Sequence, residues 1–386
     1  MKILVVIESL GFGGAERLLV TLLPAMKCSG VECDVAVLNG PYDLATELEA
    51  LGIHVLPLDI QHRWMMPEAI WKLCKVIKSG NYAGIWGHLY FGNLYAMLSG
   101  LLMGIKLRVM TLHSRGYLEL PPIRLWDHVR LNIEKYIGHM LASKIVAVSN
   151  ATANDYAKSL GWRNIMVVHN AIPVDHLPPS MSLEERNQLR VEYGIDEDDF
   201  LLVTAARYVS DKRHSVMLAA LAKFRELHGW CPRWIAAGRG PLKRELEIVA
   251  ESLDLARSVS LLDALPQAEL FSLIQAADAF VLPSLSEPFG IAAGEALALG
   301  TPCILSEVGG LCELAGVGDT SVAKMIVPND PVVLCDAIWE IFSDVAGREE
   351  RVSEGKKRMN EKFSTSVVVQ QWCSVFNEIN RSMRVE

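Results

Sequence analysis

The chain of 386 residues is 51% hydrophobic and 21% charged, which excludes intrinsic disorder and leaves room for two domains. Its net charge of −8 argues against nucleic acid as a main partner. The charge is uneven: residues 1–170 carry 16 Lys+Arg against 13 Asp+Glu and the remainder 21 against 32, so only the first part would tolerate an anionic acceptor or a membrane surface. Eight cysteines without a CxxC or zinc-type spacing read as buried thiols of a reducing, cytoplasmic compartment.

Lys2 to Ile7 is of strand type, and its apolar run Ile3 to Ile7, ended by Glu8, is too short for a signal peptide. It leads into the glycine-rich stretch Gly11-Phe12-Gly13-Gly14-Ala15-Glu16-Arg17 and a helix reaching about Met26. Glycines between strand and helix let backbone approach a ligand or merely join the two elements. The dinucleotide fingerprint fails here, because its third glycine would fall at Glu16. Strands at Cys33–Leu38, His54–Leu58 and Gly84–Trp86 then alternate with helices from Ala45 and around Glu68–Ser79, the doubly wound α/β pattern.

Residues 84–105 carry no Asp, Glu, Lys or Arg, but His88, Asn93, Ser99 and several glycines argue for a buried segment rather than a membrane span. Val109 to Leu112 is a strand leading into His113, and strand ends in such sheets face the ligand crevice. Either His88 or His113 alone is more often structural than functional. Ile123 to Ala142 reads as a long helix whose Arg124, Arg130 and Lys135, with Lys144 just beyond, form a solvated face. The next strand, Ile145–Val148, ends in Ser149-Asn150. Near Val167–Pro173 the chain reaches a domain boundary, with Pro173, Pro178 and Pro179 as linker.

The second part repeats the alternation. Asp196-Glu197-Asp198 contains a D-x-D but lies in an acidic turn, without the apolar strand a metal motif needs. Phe200–Ala205 is a strand followed by Arg207, Lys212 and a helix. Two such cations at the surface could clamp a diphosphate. Arg233–Ala237 and Ser260–Leu262 are further strands. Ala279–Leu282 is a strand stopped by Pro283, and Gly290–Leu299 is an Ala- and Leu-rich helix. Glu287 sits on the loop entering that helix and Glu295 within it. Pro288, Phe289 and Gly290 form the helix start, where free N–H groups and the dipole favour phosphate. Carboxylates beside an anion seat fit a ligand carrying both hydroxyls and phosphates, a nucleotide sugar. As an isolated pair the two glutamates would more often be a cap and a solvated helix residue. Val367–Met383 reads as a final helix.

The stretch EPFGIAAGE (Glu287–Glu295) resembles the E-x7-E motif of the retaining GT-B glycosyltransferases of family 4, and VGGLCEL (Val308–Leu314) resembles that family's GGxxE signature. GGAER resembles its acceptor-domain loop, and Ser149-Asn150 its "vS" loop. Val167–Pro173 resembles its hinge, with Ala171 in place of Gly. Arg207 and Lys212 match its phosphate-binding R…K, with Ala206 and Tyr208 at the usual Gly and Leu. AGRGPLKREL resembles "vGdGp", with Arg239 in place of the acid, and Ala264 replaces a usual Gly in the loop reaching the base.

The resemblance implies an α/β fold of GT-B type, two Rossmann-like doubly wound parallel-sheet domains facing a cleft. Residues 1–173 would be the acceptor domain, with helix 367–386 packing back on it, and 174–366 the nucleotide-sugar domain. It assigns Glu287 and His113 to the donor sugar, Glu295 to the ribose, and Arg207 and Lys212 to the donor phosphates. Phe289, Gly290, Ile291, Gly238 and Leu265 would line the donor, and Gly13 and Gly14 the acceptor and phosphate loop. The implied activity is hexosyl transfer with retention from a nucleotide-diphosphate sugar to a sugar or lipid-linked acceptor, in polysaccharide, lipopolysaccharide or glycolipid synthesis. It needs no cofactor and no metal, and is compatible with peripheral attachment at the inner membrane face. A sugar-nucleotide epimerase of the same fold and a non-catalytic sugar-nucleotide-binding protein remain alternatives.

Overall fold

The computed structural model describes residues 1–62, 65–114 and 125–385. They form two compact units, Met1–Ala171 with Thr365–Glu386, and Ile172–Ser364. Ile123 and Arg124 of the expected basic helix lie outside the described residues.

The first unit runs β1 (Lys2–Ile7), α1 (Gly14–Cys28), β2 (Glu32–Val37), α2 (Ala45–Ala50), β3 (His54–Pro57), α3 (Met66–Gly80) and β4 (Gly84–His88). It continues with α4 (Leu89–Leu102), β5 (Leu107–Leu112), α5 (Leu125–Leu141), β6 (Lys144–Ala147), α6 (Asn150–Leu160) and β7 (Ile165–Val167). Seven parallel strands pair in the order β3-β2-β1-β4-β5-β6-β7. The β1 run is buried from Ile3 to Ile7, as helices covering both faces demand. The strand order reverses between β1 and β4, the place at which sheets of this kind bind ligands beyond their carboxyl ends. The uncharged segment 84–105 is a strand running directly into a helix, since β4 passes into α4 at Leu89. The Ser149 hydroxyl accepts from Thr152 N–H at 3.0 Å, capping α6 and giving the Ser149-Asn150 motif a local cause.

The second unit comprises α7 (Leu183–Glu192), β8 (Leu201–Ala205), α8 (His214–His228), β9 (Arg233–Ala237), α9 (Lys243–Ser252), β10 (Val259–Leu262) and α10 (Gln267–Ala276). After these come β11 (Ala279–Leu282), α11 (Ile291–Leu299), β12 (Cys303–Ser306), α12 (Gly309–Ala315), β13 (Lys324–Ile326), α13 (Pro331–Ser343) and α14 (Val345–Arg358). Its six parallel strands are ordered β10-β9-β8-β11-β12-β13, reversing between β8 and β11.

The last helix, α15 (Thr365–Val385), belongs to the first unit and packs along α1. Its Trp372 ring lies 4.4 Å from Trp86 of β4, with Phe376 behind. A core aromatic of this kind costs about 3–5 kcal/mol when cut to Ala, and Val368, Val369, Val375 and Ile379 of α15 are buried beside these rings. At the expected hinge, Ala171 is buried and takes no left-handed backbone, so glycine is not required there.

Candidate functional site

In the second unit the candidate residues gather at the carboxyl ends of β8 and β11, the switch point of the sheet. Lys212 follows β8 by seven residues and is only 8% exposed. Its Nζ donates to Glu287 Oε2 at 2.7 Å and to the Ser286 carbonyl at 3.4 Å, with Asp211 Oδ2 at 3.5 Å. Burial alone would lower the Lys212 pKa, but Glu287 and Asp211 outweigh it and raise the value, so the ammonium stays charged. The Ser284 hydroxyl donates to the same Glu287 oxygen at 3.4 Å, and Leu285 N–H to the Asp211 carbonyl at 2.7 Å. The surface position expected for both cations therefore holds for only one. Arg207 is exposed and forms no ion pair among the described residues, while Lys212 is drawn under Glu287 by the short turn Ser210–Lys212.

Gly290, at φ 94°, caps α11 without a side chain, leaving the first N–H groups of the helix to other partners. A Cβ on Gly290 would strike Leu311 at 2.4 Å, besides the strain of its left-handed backbone. The second motif explains itself physically against the first. Gly310 N–H donates to the Glu287 carbonyl at 2.8 Å. A Cβ on Gly309 would lie 2.3 Å from that carbonyl, and one on Gly310 2.3 Å from the Pro288 carbonyl. The two glycines thus let α12 lie against the backbone of Glu287-Pro288-Phe289 and fix the start of α11.

Glu295 lies in the second turn of α11, 5% exposed, and accepts from Gln267 Nε2 at 3.3 Å. Gln267 opens α10, two residues after the half-buried Leu265, so Glu295 and the loop after β10 form one neighbourhood. Phe289 is a different matter. Its side chain is 2% exposed and packs edge-on against Phe363, so only its backbone is available to a ligand. Ile291 is half-buried at the first turn of α11. Gly238 is required by packing, because a Cβ there would lie 2.0 Å from the Ala206 carbonyl. Tyr208, where a Leu was expected, is fully buried with its hydroxyl 2.6 Å from the carbonyls of both Ala236 and Leu262. It ties together the ends of β8, β9 and β10.

In the first unit, His113 follows β5 and is 9% exposed, and His88 ends β4 and is fully buried. His88 Nδ1 lies 2.9 Å from His113 Nε2. Burial lowers the His113 pKa to about 4 and puts His88 well below its ordinary value, with the neighbouring His113 as a second cause. Both rings are therefore neutral at pH 7. Asn93 clamps the strand end beside them, donating to the Thr111 carbonyl at 2.8 Å and accepting from its N–H at 3.2 Å. Gly13 caps α1, and the Glu16 carboxylate folds back so closely that a Cβ on Gly13 would meet it at 2.3 Å. Gly14 begins the helix, and Arg17 makes a paired contact with Glu47 at 2.8 and 2.9 Å.

Sequence reasoning passed over Gln267, Asp211 and the pairing of His88. Their only sequence signal was position at a strand end or helix start. Asp196 and Asp198 lie in a loop before β8, and among the described residues no three His, Cys, Asp or Glu side chains are placed to hold a metal ion. No helix among the described residues is long and apolar enough to cross a membrane.

Comparison with known proteins follows this division. Residues 12–176 match Glycosyltransferase Family 4, and residues 185–359 match Glycosyl transferases group 1. An uncharacterized glycosyltransferase of Methanocaldococcus jannaschii is 26% identical over 65% of this chain and 64% of its own length. A glycogen synthase of Mycobacterium tuberculosis is 33% identical over 43% of this chain and 40% of its own. The chain thus spans under two thirds of the length of these relatives. The Anabaena protein HepE, solved in complex with UDP-glucose, superposes with a TM-score of 0.85 at 20% identity, covering 98% of this chain and 100% of that one. That likeness establishes the GT-B fold.

Proposed function

The chain belongs to the group 1, family 4 glycosyltransferases, and from that premise we propose that it transfers a sugar from a nucleotide diphosphate to an acceptor hydroxyl, with retention at the anomeric carbon. The observation that carries the reading is the junction of Lys212, Glu287 and the start of α11, with Glu295 further along the same helix. In the reaction, the C1–O bond breaks with its electron pair going to the diphosphate. The acceptor oxygen bonds to C1 and its proton leaves with the diphosphate. Arg207, Lys212 and the N–H groups of α11 stabilise the departing charge, a role preorganised donors fill without reorganising. Glu287 and Glu295 accept from sugar and ribose hydroxyls, and His113 bonds the transferred sugar. Gly238 and Leu265 line the nucleotide, and Phe289, Gly290 and Ile291 serve through backbone.

The acceptor is assigned to the first unit, at the loop of Gly13 and Gly14. Leu101 and Leu102 are exposed at the end of α4 and Tyr136 and Met140 on α5, with Lys135 on α5 and Lys106 in the loop before β5 also exposed. Apolar and cationic groups on these two helices and the loop after α4 suit a lipid-linked acceptor at an anionic, cytoplasmic membrane face, as in polysaccharide or glycolipid synthesis. Lys212 and Arg207 would supply the positive charge that a divalent metal could otherwise bring to the diphosphate. Sugar transfer or donor hydrolysis, followed as nucleoside diphosphate release from UDP-, GDP- and ADP-glucose, is expected to persist in excess EDTA. Complete loss in EDTA with recovery on manganese would overturn the metal-free reading.

A further inference from the structure

We propose that His88 is a positioning residue for His113: its Nδ1–H bonds the His113 Nε2 lone pair and leaves His113 with its own proton on Nδ1, as a hydrogen-bond donor. The inference rests on the reading of His113 as a sugar-contacting residue and specifies what it can recognise there.

One proton bridges His88 Nδ1 and His113 Nε2 across 2.9 Å. If His113 supplied it, the proton of neutral His88 would sit on Nε2. That nitrogen is buried and has no partner among the described residues. A buried N–H without an acceptor is rarer and costlier than a buried lone pair without a donor. If His88 supplies it, the orphan atom is the lone pair, and both rings carry their proton on Nδ1. Burial, which keeps both rings neutral, supports a single shared proton.

The surroundings hold His88 to this arrangement. Its ring lies 4.4 Å from Trp86, which is itself covered by Trp372 and Phe376 and donates its indole N–H to Thr111 Oγ1 at 2.6 Å. The next residue, Leu89, has φ 62°, a left-handed conformation that a bulky side chain adopts only when its surroundings impose it. Here they do. Glu8 accepts from Phe91 N–H at 2.8 Å, and a Cβ on Gly87 would lie 2.7 Å from the Asn93 backbone. With Nε2 engaged, His113 offers a ligand only its Nδ1–H. It therefore recognises an acceptor oxygen and cannot take a proton at that nitrogen.

The test is the histidine tautomer, read from long-range proton–nitrogen correlation spectra of the full chain with 15N-labelled histidine at neutral pH. His88→Asn and His113→Asn identify the two rings. In the wild type, His113 is expected to be protonated on Nδ1 with Nε2 bare. His88→Asn should preserve this, since its amide can donate from nearly the same place, and His88→Leu should move the proton to Nε2. A wild-type His113 protonated on Nε2, or a tautomer unchanged in His88→Leu, would overturn the proposal. If the Leu variant fails to fold, the wild-type and His88→Asn spectra decide alone. No donor is present in the measurement, so its failure is separate from any failure of the sugar-transfer reading.

Discussion

Both sheets present a pair of functional groups just past the carboxyl ends of their strands, yet the two pairs are of opposite chemical kinds. In the first unit, two neutral imidazoles share a hydrogen bond in an aromatic pocket. In the second, a buried ammonium lies against a carboxylate. The same doubly wound scaffold thus holds a neutral donor in one place and fixed charge in the other. The division matches the ligand proposed, in which hydroxyls are neutral and the diphosphate is not. A neutral imidazole recognises a hydroxyl without attracting counter-ions. A paired Lys keeps its charge where burial alone would remove it.

The contrast is broken most severely by removing the ammonium. Lys212→Ala leaves Glu287 enclosed without its partner, which should destabilise the chain by about 3–5 kcal/mol in urea unfolding. Arg207→Ala, exposed and unpaired among the described residues, should change stability by no more than about 0.5 kcal/mol while weakening the donor. Equal stability losses would erase the distinction between the buried and the exposed cation.

Acid tests the neutral pair. His113 has its native pKa depressed to about 4, so below its ordinary value near 6.5 the unfolded chain takes up the proton first. Stability should therefore fall as pH drops from about 6.5 to about 4, by an amount on the order of 3 kcal/mol from this ring. His214 in the second unit is also depressed to about 4 and adds to the fall. The difference in unfolding free energy between wild type and His113→Asn should narrow over that range. A difference independent of pH would show that the ring is not held neutral. Lys212 behaves in the reverse sense, since its raised value means its contribution is lost only as pH climbs above about 10.5.

Much of this frame was legible in the chain itself. Uninterrupted apolar runs such as Ile3–Ile7 are what sheets covered on both sides call for, and the elements flanking Glu287 and Glu295 placed one on a loop and the other in a helix. What escaped the sequence depended on partners distant along the chain. Lys212 meets a glutamate 75 residues away, which made an apparent surface cation a buried one. The Tyr208 hydroxyl serves carbonyls 28 and 54 residues away, so a replaced Leu became a pin across three strands. Phe289 belongs to a conspicuous motif, but nothing local tells that its ring turns inward onto Phe363.

The central claim is that the second unit holds a nucleotide sugar through Glu295 and its neighbours. Titration calorimetry of wild type and Glu295→Ala with UDP-, GDP- and ADP-glucose, all in EDTA, tests it most directly. One of the three should bind the wild type, and the variant should bind it at least about tenfold more weakly, the loss of a charged hydrogen bond worth about 1.5–3 kcal/mol. Binding of none of them, or equal binding by wild type and variant, would contradict the account.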